Sequence, residues 1–279
     1  MVDLHIHTTK SDGIFTPEQI VDKAVDAGVK LFSVTDHDNM DANPIVIEKL
    51  KTLNNQIKFF TGTEISGTFM GKSLHLLCYD FDPNSSHIKE MFEQSKSLRK
   101  GRAINLLNHI KNNHGIVFSD SDIERLLGRG LVGKPHIADL ALEVGLTDLN
   151  RDEFCTKYFD DCKYEKILKL DAKDVITATH NAGGFVSFAH PIEVQKEYGI
   201  GINELTEFTE ALKDQKLDAI EVYHSSHGEN EISNYKQIAK RFNLLKTAGS
   251  DFHGTHPNRK IGRVSKDSMI VCDEIIEQF

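Results

Sequence analysis

Long apolar segments, paired cysteines and an excess of basic residues are all missing from this sequence. No apolar run approaches the roughly 20 residues that a membrane-spanning helix requires, and nothing at the N-terminus resembles a signal peptide. The four cysteines form no C-x-x-C pair and are not densely spaced, which predicts reduced thiols and a cytoplasmic protein. We therefore expect no membrane partner.

Basic residues are outnumbered, with 33 Lys and Arg against 42 Asp and Glu and a net charge of −9. Sequence-independent binding of duplex nucleic acid depends on neutralising many phosphates with Lys and Arg, so we predict no duplex partner. A local basic pocket is compatible with this charge, and the sequence leaves the oligomeric state open. The 279 residues suffice for one large barrel domain or for a domain with an insertion.

Strand-like and helix-like segments alternate along much of the chain, which predicts an α/β fold with largely parallel strands. A capping-box pattern at residues 16–19 marks the start of the first helix. The alternation stops near residue 80, where the sequence becomes charged and helix-like, and resumes near residue 175. We predict a discontinuous α/β domain formed by residues 1–79 and 175–279, with residues 80–174 as an inserted helical cap.

Histidines and carboxylates are concentrated in three short clusters at the two ends of the chain. His5 and His7 lie two residues apart on a predicted strand, so both rings point to the same side. Asp251 and His253 repeat this spacing after an apolar run. Imidazole and carboxylate suit zinc, manganese and iron, so the sequence predicts one divided metal site. The three clusters are residues 3–12, 35–38 and 249–253.

The clusters and several more distant residues share one position, at or just beyond the C-terminal ends of predicted strands. Barrel enzymes assemble their active sites at that end of the strands. We therefore expect these side chains to meet in the folded chain. They are His5, His7, His37, Glu64, His190, His224, Asp251 and His253.

These motifs resemble, in order, those of the polymerase and histidinol phosphatase (PHP) family of metallophosphoesterases. The matching segments are residues 3–7, 11–13, 35–38, 62–64, 75, 189–191 and 249–253. The resemblance implies a distorted (β/α)7 barrel with a helical insertion. Within the family, residues 11–13, the insertion after His75 and residues 133–136 are similar to the small bacterial branch that acts on nucleotide phosphates.

The resemblance also implies a set of metal ligands, transferred motif by motif. Glu64 would bridge two ions, because a carboxylate has two oxygens whereas a neutral imidazole binds one ion. The expected cofactor is two or three divalent ions, with manganese first and zinc or iron as alternatives. Asp12 stands where several relatives have histidine. The three implied sets are His5, His7, Glu64 and Asp251; Glu64, His75 and His190; and Asp12, His37 and His253.

The implied activity is that of a hydrolase in which a metal-bridging hydroxide attacks a phosphate ester. The expected substrate is a small nucleotide, either a 3',5'-nucleoside bisphosphate or a short oligonucleotide. Histidinol phosphate or another sugar phosphate is an alternative substrate, and a noncatalytic PHP-type scaffold is an alternative function. His224 and Asp251 are the predicted catalytic residues, and His224 either binds phosphate or protonates the leaving oxygen.

Cationic side chains are expected to bind the substrate phosphate, and Arg99, Arg102, Lys134 and His224 are the candidates. A short basic run is also typical of a solvated face, so the roles of Arg99 and Arg102 stay open. His136 is either a pocket residue or a helix-start histidine. Three carboxylates near the clusters are expected to accept hydrogen bonds from ligand imidazoles rather than to bind metal. These are Asp3, Asp36 and Asp38.

Overall fold

The computed structural model describes residues 1–53, 57–128, 132–160, 162, 169–267 and 273–279. Nine strands occur in these ranges: β1 (Val2–Asp3), β2 (Leu31–Ser33), β3 (Lys58–Phe60), β4 (Gly62–Phe69), β5 (Lys72–Tyr79), β6 (Leu170–Asp171), β7 (Phe185–Phe188), β8 (Ala219–His224) and β9 (Leu245–Gly249). The same ranges contain eleven helices: α1 (Pro17–Asp26), α2 (Ala42–Lys51), α3 (Ser86–His114), α4 (Asp120–Leu127), α5 (Lys134–Glu143), α6 (Arg151–Phe159), α7 (Ala172–Asn181), α8 (Pro191–Tyr198), α9 (Ile202–Asp214), α10 (Glu229–Arg241) and α11 (Asp273–Ile276).

The strands form two sheets. In the smaller sheet, β1, β2 and β3 lie side by side in parallel. The larger sheet has the order β6-β4-β5-β7-β8-β9, in which β5 runs antiparallel to β4 and β7 while β7, β8 and β9 are parallel. The predicted α/β class is confirmed, although the β4–β5 hairpin makes the sheet less uniformly parallel than the alternating pattern suggested.

Isolated bridges connect the two sheets beyond the regular strands. Ile6 pairs with Phe252 after β1 and β9, and His37 pairs with Glu64 where β4 passes the end of β2. The backbone N–H of His7 also donates to the Phe252 carbonyl at 2.9 Å. The predicted strand that carries His5 and His7 is therefore regular only at its start, because the chain beyond Asp3 pairs through single bridges. These bridges make residues from the two ends of the chain neighbours.

The first helix shows how the sequence determines a local boundary. Thr16 accepts a hydrogen bond from the Gln19 N–H at 3.3 Å, and Gln19 accepts one from the Thr16 N–H at 2.9 Å. Pro17 opens the helix, where a missing N–H costs nothing, and Gly28 follows its end in the left-handed region with φ 71°. The predicted helix start is confirmed. The buried face consists of Pro17, Ile20, Val21 and Ala24.

The chain divides into two compact units. The first comprises residues 1–91 and 171–279, and the second comprises residues 92–170. One core of the first unit packs α1 and α2 against the strands through Ile6, Ile20, Val21, Phe32, Val46 and Phe252. The second unit has a core of its own, which includes Leu106, Ile110, Leu140, Phe154 and Phe159. The division after residue 91 falls within α3, where a continuous helical pattern gives the sequence no boundary signal.

The described part of the chain contains neither a disulfide bond nor a membrane-spanning helix. Cys78, Cys155 and Cys162 are free thiols there, and Cys272 lies outside the described residues. None of the described helices has both the length and the apolar character needed to cross a bilayer.

Candidate metal centre

A cluster of imidazoles and carboxylates lies in the first unit, where the strand ends meet. The strands β4, β5 and β8 contribute members directly, and the segments that follow β1, β2, β7 and β9 contribute the others. The structure thus brings together all nine sequence-predicted metal ligands and His224. This His-carboxylate cluster consists of His5, His7, Asp12, His37, Glu64, His75, His190, His224, Asp251 and His253.

Glu64 is at the centre of the cluster and is only 1% exposed. Its Oε2 lies 3.2 Å from one ring nitrogen of each of three imidazoles, and its Oε1 lies 2.7 Å and 3.0 Å from ring nitrogens of two others. The two carboxylate oxygens therefore serve different groups of imidazoles. The Oε2 group is His5, His7 and His37, and the Oε1 group is His75 and His190.

Asp251 forms a second point of convergence. Its Oδ1 lies 3.3 Å from His7 Nε2, 3.4 Å from His253 Nδ1 and 3.6 Å from His5 Nε2. Its Oδ2 lies 3.6 Å from His224 Nε2. A carboxylate that faces ring nitrogens with both oxygens can share a cation with them, since imidazole and carboxylate are ligands for the same metals.

Four groups within the cluster place their ligand atoms within 4.8 Å of one another, which is close enough to surround one ion. Two of these groups share Glu64, and the second contains His37 where the resemblance implied His190. The group around Asp12 contains His7 in addition to the predicted pair of histidines. The fourth group contains His224, which was predicted to act on substrate. The groups are His5, His7 and Glu64; His37, Glu64 and His75; His7, Asp12, His37 and His253; and His5, His224 and Asp251.

Several buried polar atoms of the cluster lack a hydrogen-bond partner among the described residues. A buried polar atom without a partner is costly, typically about 1–3 kcal/mol. Metal–ligand distances near 2.1 Å separate neighbouring ligand atoms by roughly 3.0–3.4 Å, which matches the spacing around Glu64. The donor set and its spacing therefore fit divalent ions. The orphaned atoms are His5 Nε2, His7 Nε2, His37 Nδ1, Glu64 Oε2, His190 Nδ1 and His224 Nε2.

The electrostatics of the pocket favour positive charge. Burial disfavours a charged ring at His7, yet the carboxylates of Asp251 and Glu64 outweigh it and raise the pKa of His7 to about 10. Burial also disfavours a charged ring at His5. The carboxylates of Glu64, Glu221 and Asp251 outweigh this effect, so the pKa of His5 also rises well above its ordinary value. Burial would raise the pKa of Glu64, but the surrounding imidazoles hold it well below its usual range. A divalent cation meets the same electrostatic demand.

The backbone is strained at three residues in or beside the cluster. The φ values of His190, Asp251 and Asp38 are 24°, 53° and 46°. Residues other than glycine adopt such positive φ values at a cost of about 1–3 kcal/mol. Hydrogen bonds hold two of them: the His190 N–H donates to Glu221 Oε2 at 2.7 Å, and the Asp251 N–H donates to the His5 carbonyl at 2.8 Å. The surrounding structure thus imposes these side-chain directions.

Glu221, on β8, is a functional residue that the sequence reasoning missed. It is fully buried, and its Oε1 lies 3.0 Å from His5 Nδ1 while its Oε2 accepts the His190 N–H. A carboxylate behind an imidazole orients the ring and leaves the opposite nitrogen free for metal. Gly249 makes room for this pair, because a Cβ there would lie 2.1 Å from His5 Cβ. The available signal was an acidic residue inside the apolar run of residues 219–223.

The carboxylates that were predicted to accept hydrogen bonds from ligand imidazoles accept them from backbone N–H and hydroxyl groups instead. Asp3 accepts hydrogen bonds from the backbone N–H groups of Ser250 and Gly262, which ties the segment after β9 to β1. Asp36 accepts bonds from the Thr8 N–H and hydroxyl and from the Ser11 hydroxyl. Neither accepts from an imidazole ring among the described residues, so that expectation is wrong for both. Asp36 reaches His7 indirectly, since Ser11 Oγ lies 3.4 Å from His7 Nδ1.

Asp38, the third of these carboxylates, accepts a hydrogen bond from the Ser66 N–H at 3.2 Å. Its own backbone N–H donates to the Glu64 carbonyl at 2.8 Å. Asp38 therefore connects the segment after β2 to β4, beside the central carboxylate of the cluster.

The basic candidates for phosphate binding belong to the second unit. Arg99 and Arg102 are 9% and 8% exposed, so they are buried rather than part of a solvated face. The Lys134 ammonium lies 6.0 Å from the centre of the Phe159 ring. His136 accepts a hydrogen bond from the Gly133 N–H at 3.1 Å, which is the helix-start arrangement at the beginning of α5.

His224 faces Asp251 with one ring nitrogen and is held by Ser226 through the other. The Ser226 backbone N–H donates to His224 Nδ1 at 3.2 Å, and the Ser226 hydroxyl lies 2.7 Å from the same atom. Because a backbone N–H can only donate, Nδ1 is an acceptor and the ring proton of neutral His224 resides on Nε2. His224 is therefore better suited to donate a proton or hydrogen bond towards the cluster than to bind metal through Nε2.

The family model described as PHP domain matches residues 3–122. A 5'-3' exoribonuclease Rnm from Salmonella typhimurium is 28% identical to this chain, over 94% of it and 88% of the relative. A 3',5'-nucleoside bisphosphate phosphatase from Chromobacterium violaceum is 23% identical, over 98% of this chain and 94% of the relative. A crystal structure from Bifidobacterium adolescentis, whose description proposes a metal-dependent phosphoesterase, has a TM-score of 0.78 and 26% identity, with 99% of this chain and 94% of that one covered. The motifs, the fold and these comparisons agree, and residues 3–122 match the PHP domain family.

Proposed function

We propose that this protein hydrolyses phosphate esters of small nucleotides in a metal-dependent reaction. The observation that carries the proposal is Glu64, whose two oxygens face five imidazoles from different strand ends. A carboxylate in this position can join two cations side by side. Paired divalent ions, when bound, supply an activated water and stabilise charge on both the attacking and the leaving oxygen of a phosphoryl displacement.

The proposed ligand sets keep Glu64 as the bridge. Two or three divalent ions are proposed, with manganese first and zinc or iron as alternatives, because imidazole and carboxylate suit all three metals. The compact groups around Glu64 and Asp12 support this assignment. The sets are His5, His7, Glu64 and Asp251; Glu64, His75 and His190; and Asp12, His37 and His253.

The proposed fold of the first unit is a distorted (β/α)7 barrel, with the second unit as its helical insertion. β3 and β4 are separated by one residue and count as a single interrupted strand. In order of pairing, the seven strands are β1, β2, β3 with β4, β5, β7, β8 and β9. The Ile6–Phe252 bridge supports closure between β9 and β1.

His224 and Asp251 are proposed as the catalytic residues. Asp251 faces ring nitrogens with both oxygens and thereby orders the cluster around the reacting phosphate. The Nε2 proton of His224 is directed at the same region, so His224 can donate to a phosphate oxygen or protonate the leaving oxygen. This arrangement supports both roles that the sequence left open for His224.

Substrate choice is tested directly with purified protein stripped of metal and reloaded with manganese. Adenosine 3',5'-bisphosphate, a short 5'-phosphorylated oligoribonucleotide and histidinol phosphate are compared by phosphate or nucleotide release. Release from the nucleotide substrates that stops on chelation is the expected result, in line with the relatives' named activities. Turnover of histidinol phosphate alone favours the sugar-phosphate alternative, and no turnover at full metal loading favours the noncatalytic scaffold.

Arg99, Arg102 and Lys134 remain proposed phosphate-binding residues on the basis of their charge. Lys134→Ala is expected to raise KM for the best substrate by about tenfold while leaving metal content unchanged, because an ammonium contributes charge rather than coordination. Lys157→Ala, another lysine of the second unit, is the control. Steady-state kinetics and elemental analysis measure both effects, and a loss of metal in the Lys134 variant contradicts the assignment.

A further inference from the structure

We propose that Arg259 binds a phosphate oxygen of the substrate, an inference that rests on the proposed function and names a residue for it. Arg259 lies in the segment after β9, within the first unit. Its Nη1 donates to the Asp251 carboxylate and, at 3.2 Å, to the Asp251 backbone carbonyl. Asp251 belongs to the His-carboxylate cluster, so the guanidinium is one contact away from the proposed ions.

The guanidinium retains donors that the protein does not use. Arginine carries five N–H donors in a planar fork, and the contacts to Asp251 occupy Nη1. Nε and Nη2 have no partner among the described residues, and the side chain is 34% exposed. Arg259 is therefore anchored on one side and open on the other, which is the condition for two parallel bonds to phosphate oxygens.

Local charge gives independent support. The segment of residues 251–267 contains four Lys and Arg against two Asp, although the whole chain has a net charge of −9. Positive charge beside the cluster attracts an anionic phosphate and stabilises it when bound. The four cations are Arg259, Lys260, Arg263 and Lys266.

The other cations of the segment differ from Arg259 in their contacts. Arg263 donates to the carbonyls of Asn258 and Lys266 at 2.9 Å and 3.0 Å, so its guanidinium fastens the loop. Lys260 lines a separate surface cavity with Met1 and Lys23. Among these side chains, the structure describes contact with the cluster for Arg259.

A purely structural role for Arg259 makes a different prediction. If it only held Asp251, whose backbone has a positive φ of 53°, its loss would disturb a proposed metal ligand and release metal. If it binds phosphate, its loss leaves the ions in place and weakens the affinity for phosphate. Metal content and phosphate affinity therefore separate the two roles without any measurement of turnover.

The experiment compares wild-type protein with Arg259→Ala and the neighbouring control Lys260→Ala, all loaded with manganese. Titration calorimetry with inorganic phosphate gives the affinity, and elemental analysis gives the metal content. Arg259→Ala is expected to weaken phosphate binding by about 10- to 100-fold, the loss typical of a charge-assisted hydrogen bond, with full metal content. Lys260→Ala removes the same charge without removing a contact to the cluster, so it is expected to weaken phosphate binding by less than about twofold.

Arg259→Gln covers the case in which the alanine variant does not fold. Glutamine keeps an N–H donor for the Asp251 carboxylate but has no charge to pair with phosphate, so the same loss of affinity is expected. Unchanged phosphate affinity in the folded Arg259 variants, an equal loss in Lys260→Ala, or loss of metal together with phosphate overturns the proposal. If the wild-type protein binds metal and phosphate but hydrolyses no ester, the proposed function is wrong. The phosphate affinities of the Arg259 variants still test whether Arg259 binds phosphate.

Discussion

Replacing Glu64 with glutamine is expected to abolish phosphate release and to lower the metal content, with the fold retained. Glutamine has nearly the same shape, but its amide group offers one oxygen and no negative charge to the five imidazoles around it. Paired ions contribute several kcal/mol of transition-state stabilisation, so the rate should fall by about 1000-fold or more. Phosphate-release assays with elemental analysis measure both effects, and circular dichroism verifies the fold.

The matched control for this variant is Glu48→Gln on the exposed face of α2, where the carboxylate pairs with Lys51. The control should retain both metal and turnover. Because the Glu64 variant lacks the bridging group itself, excess manganese should not restore its activity. Wild-type turnover of Glu64→Gln at saturating manganese therefore contradicts a bridging role.

Glu221→Gln is expected to weaken metal binding by about 10- to 100-fold, the usual effect of removing a carboxylate that orients a metal-binding histidine. The two Glu221 oxygens serve two different donors, the His5 ring and the His190 backbone N–H. The single oxygen of glutamine can accept a hydrogen bond from one of these donors, and its NH2 group, which cannot accept a hydrogen bond, then faces the other donor. Metal titration of the stripped protein, followed by turnover at each metal concentration, measures the effect.

Rescue distinguishes this residue from a ligand. Glu221 positions side chains without itself facing the proposed ions, so Glu221→Gln should regain activity as manganese is raised, whereas Glu64→Gln should not. Glu193→Gln, on the exposed surface of α8, serves as the control. Wild-type metal affinity in the Glu221 variant shows that the hydrogen bonds to His5 and His190 have no effect on the centre.

The cluster members were predictable because their signal is local. His5 and His7 alternate on one short segment, and Asp251 and His253 repeat the spacing after β9. The rule that barrel active sites lie at the C-terminal ends of strands then groups these residues before any coordinates are known. Glu221 escaped because its partners are 216 and 31 residues away, and sequence spacing carries no information about such pairs.

The supporting carboxylates show the opposite error. Asp3 and Asp36 stand beside cluster histidines in sequence or register, yet both bond to backbone N–H and hydroxyl groups. Asp36 directly precedes His37, and adjacent side chains on a strand point to opposite faces, so Asp36 is directed away from that ring. Asp3 lies two residues before His5, but its carboxylate accepts hydrogen bonds from Ser250 and Gly262 instead. Hydrogen-bond partners are therefore decided by which segments pack together.

By itself, the sequence determined the α/β class, the start of α1, the resemblance to the PHP domain family and the identity of the residues that could bind metal. Each of these depends on short-range patterns: alternation along strands, helix caps and characteristic motifs. Only the tertiary structure decided that Glu64 faces imidazoles with both oxygens, that Glu221 stands behind His5, and that Arg259 contacts Asp251. These contacts arise from strand pairing and loop packing between distant segments, whose geometry follows from the folded backbone as a whole.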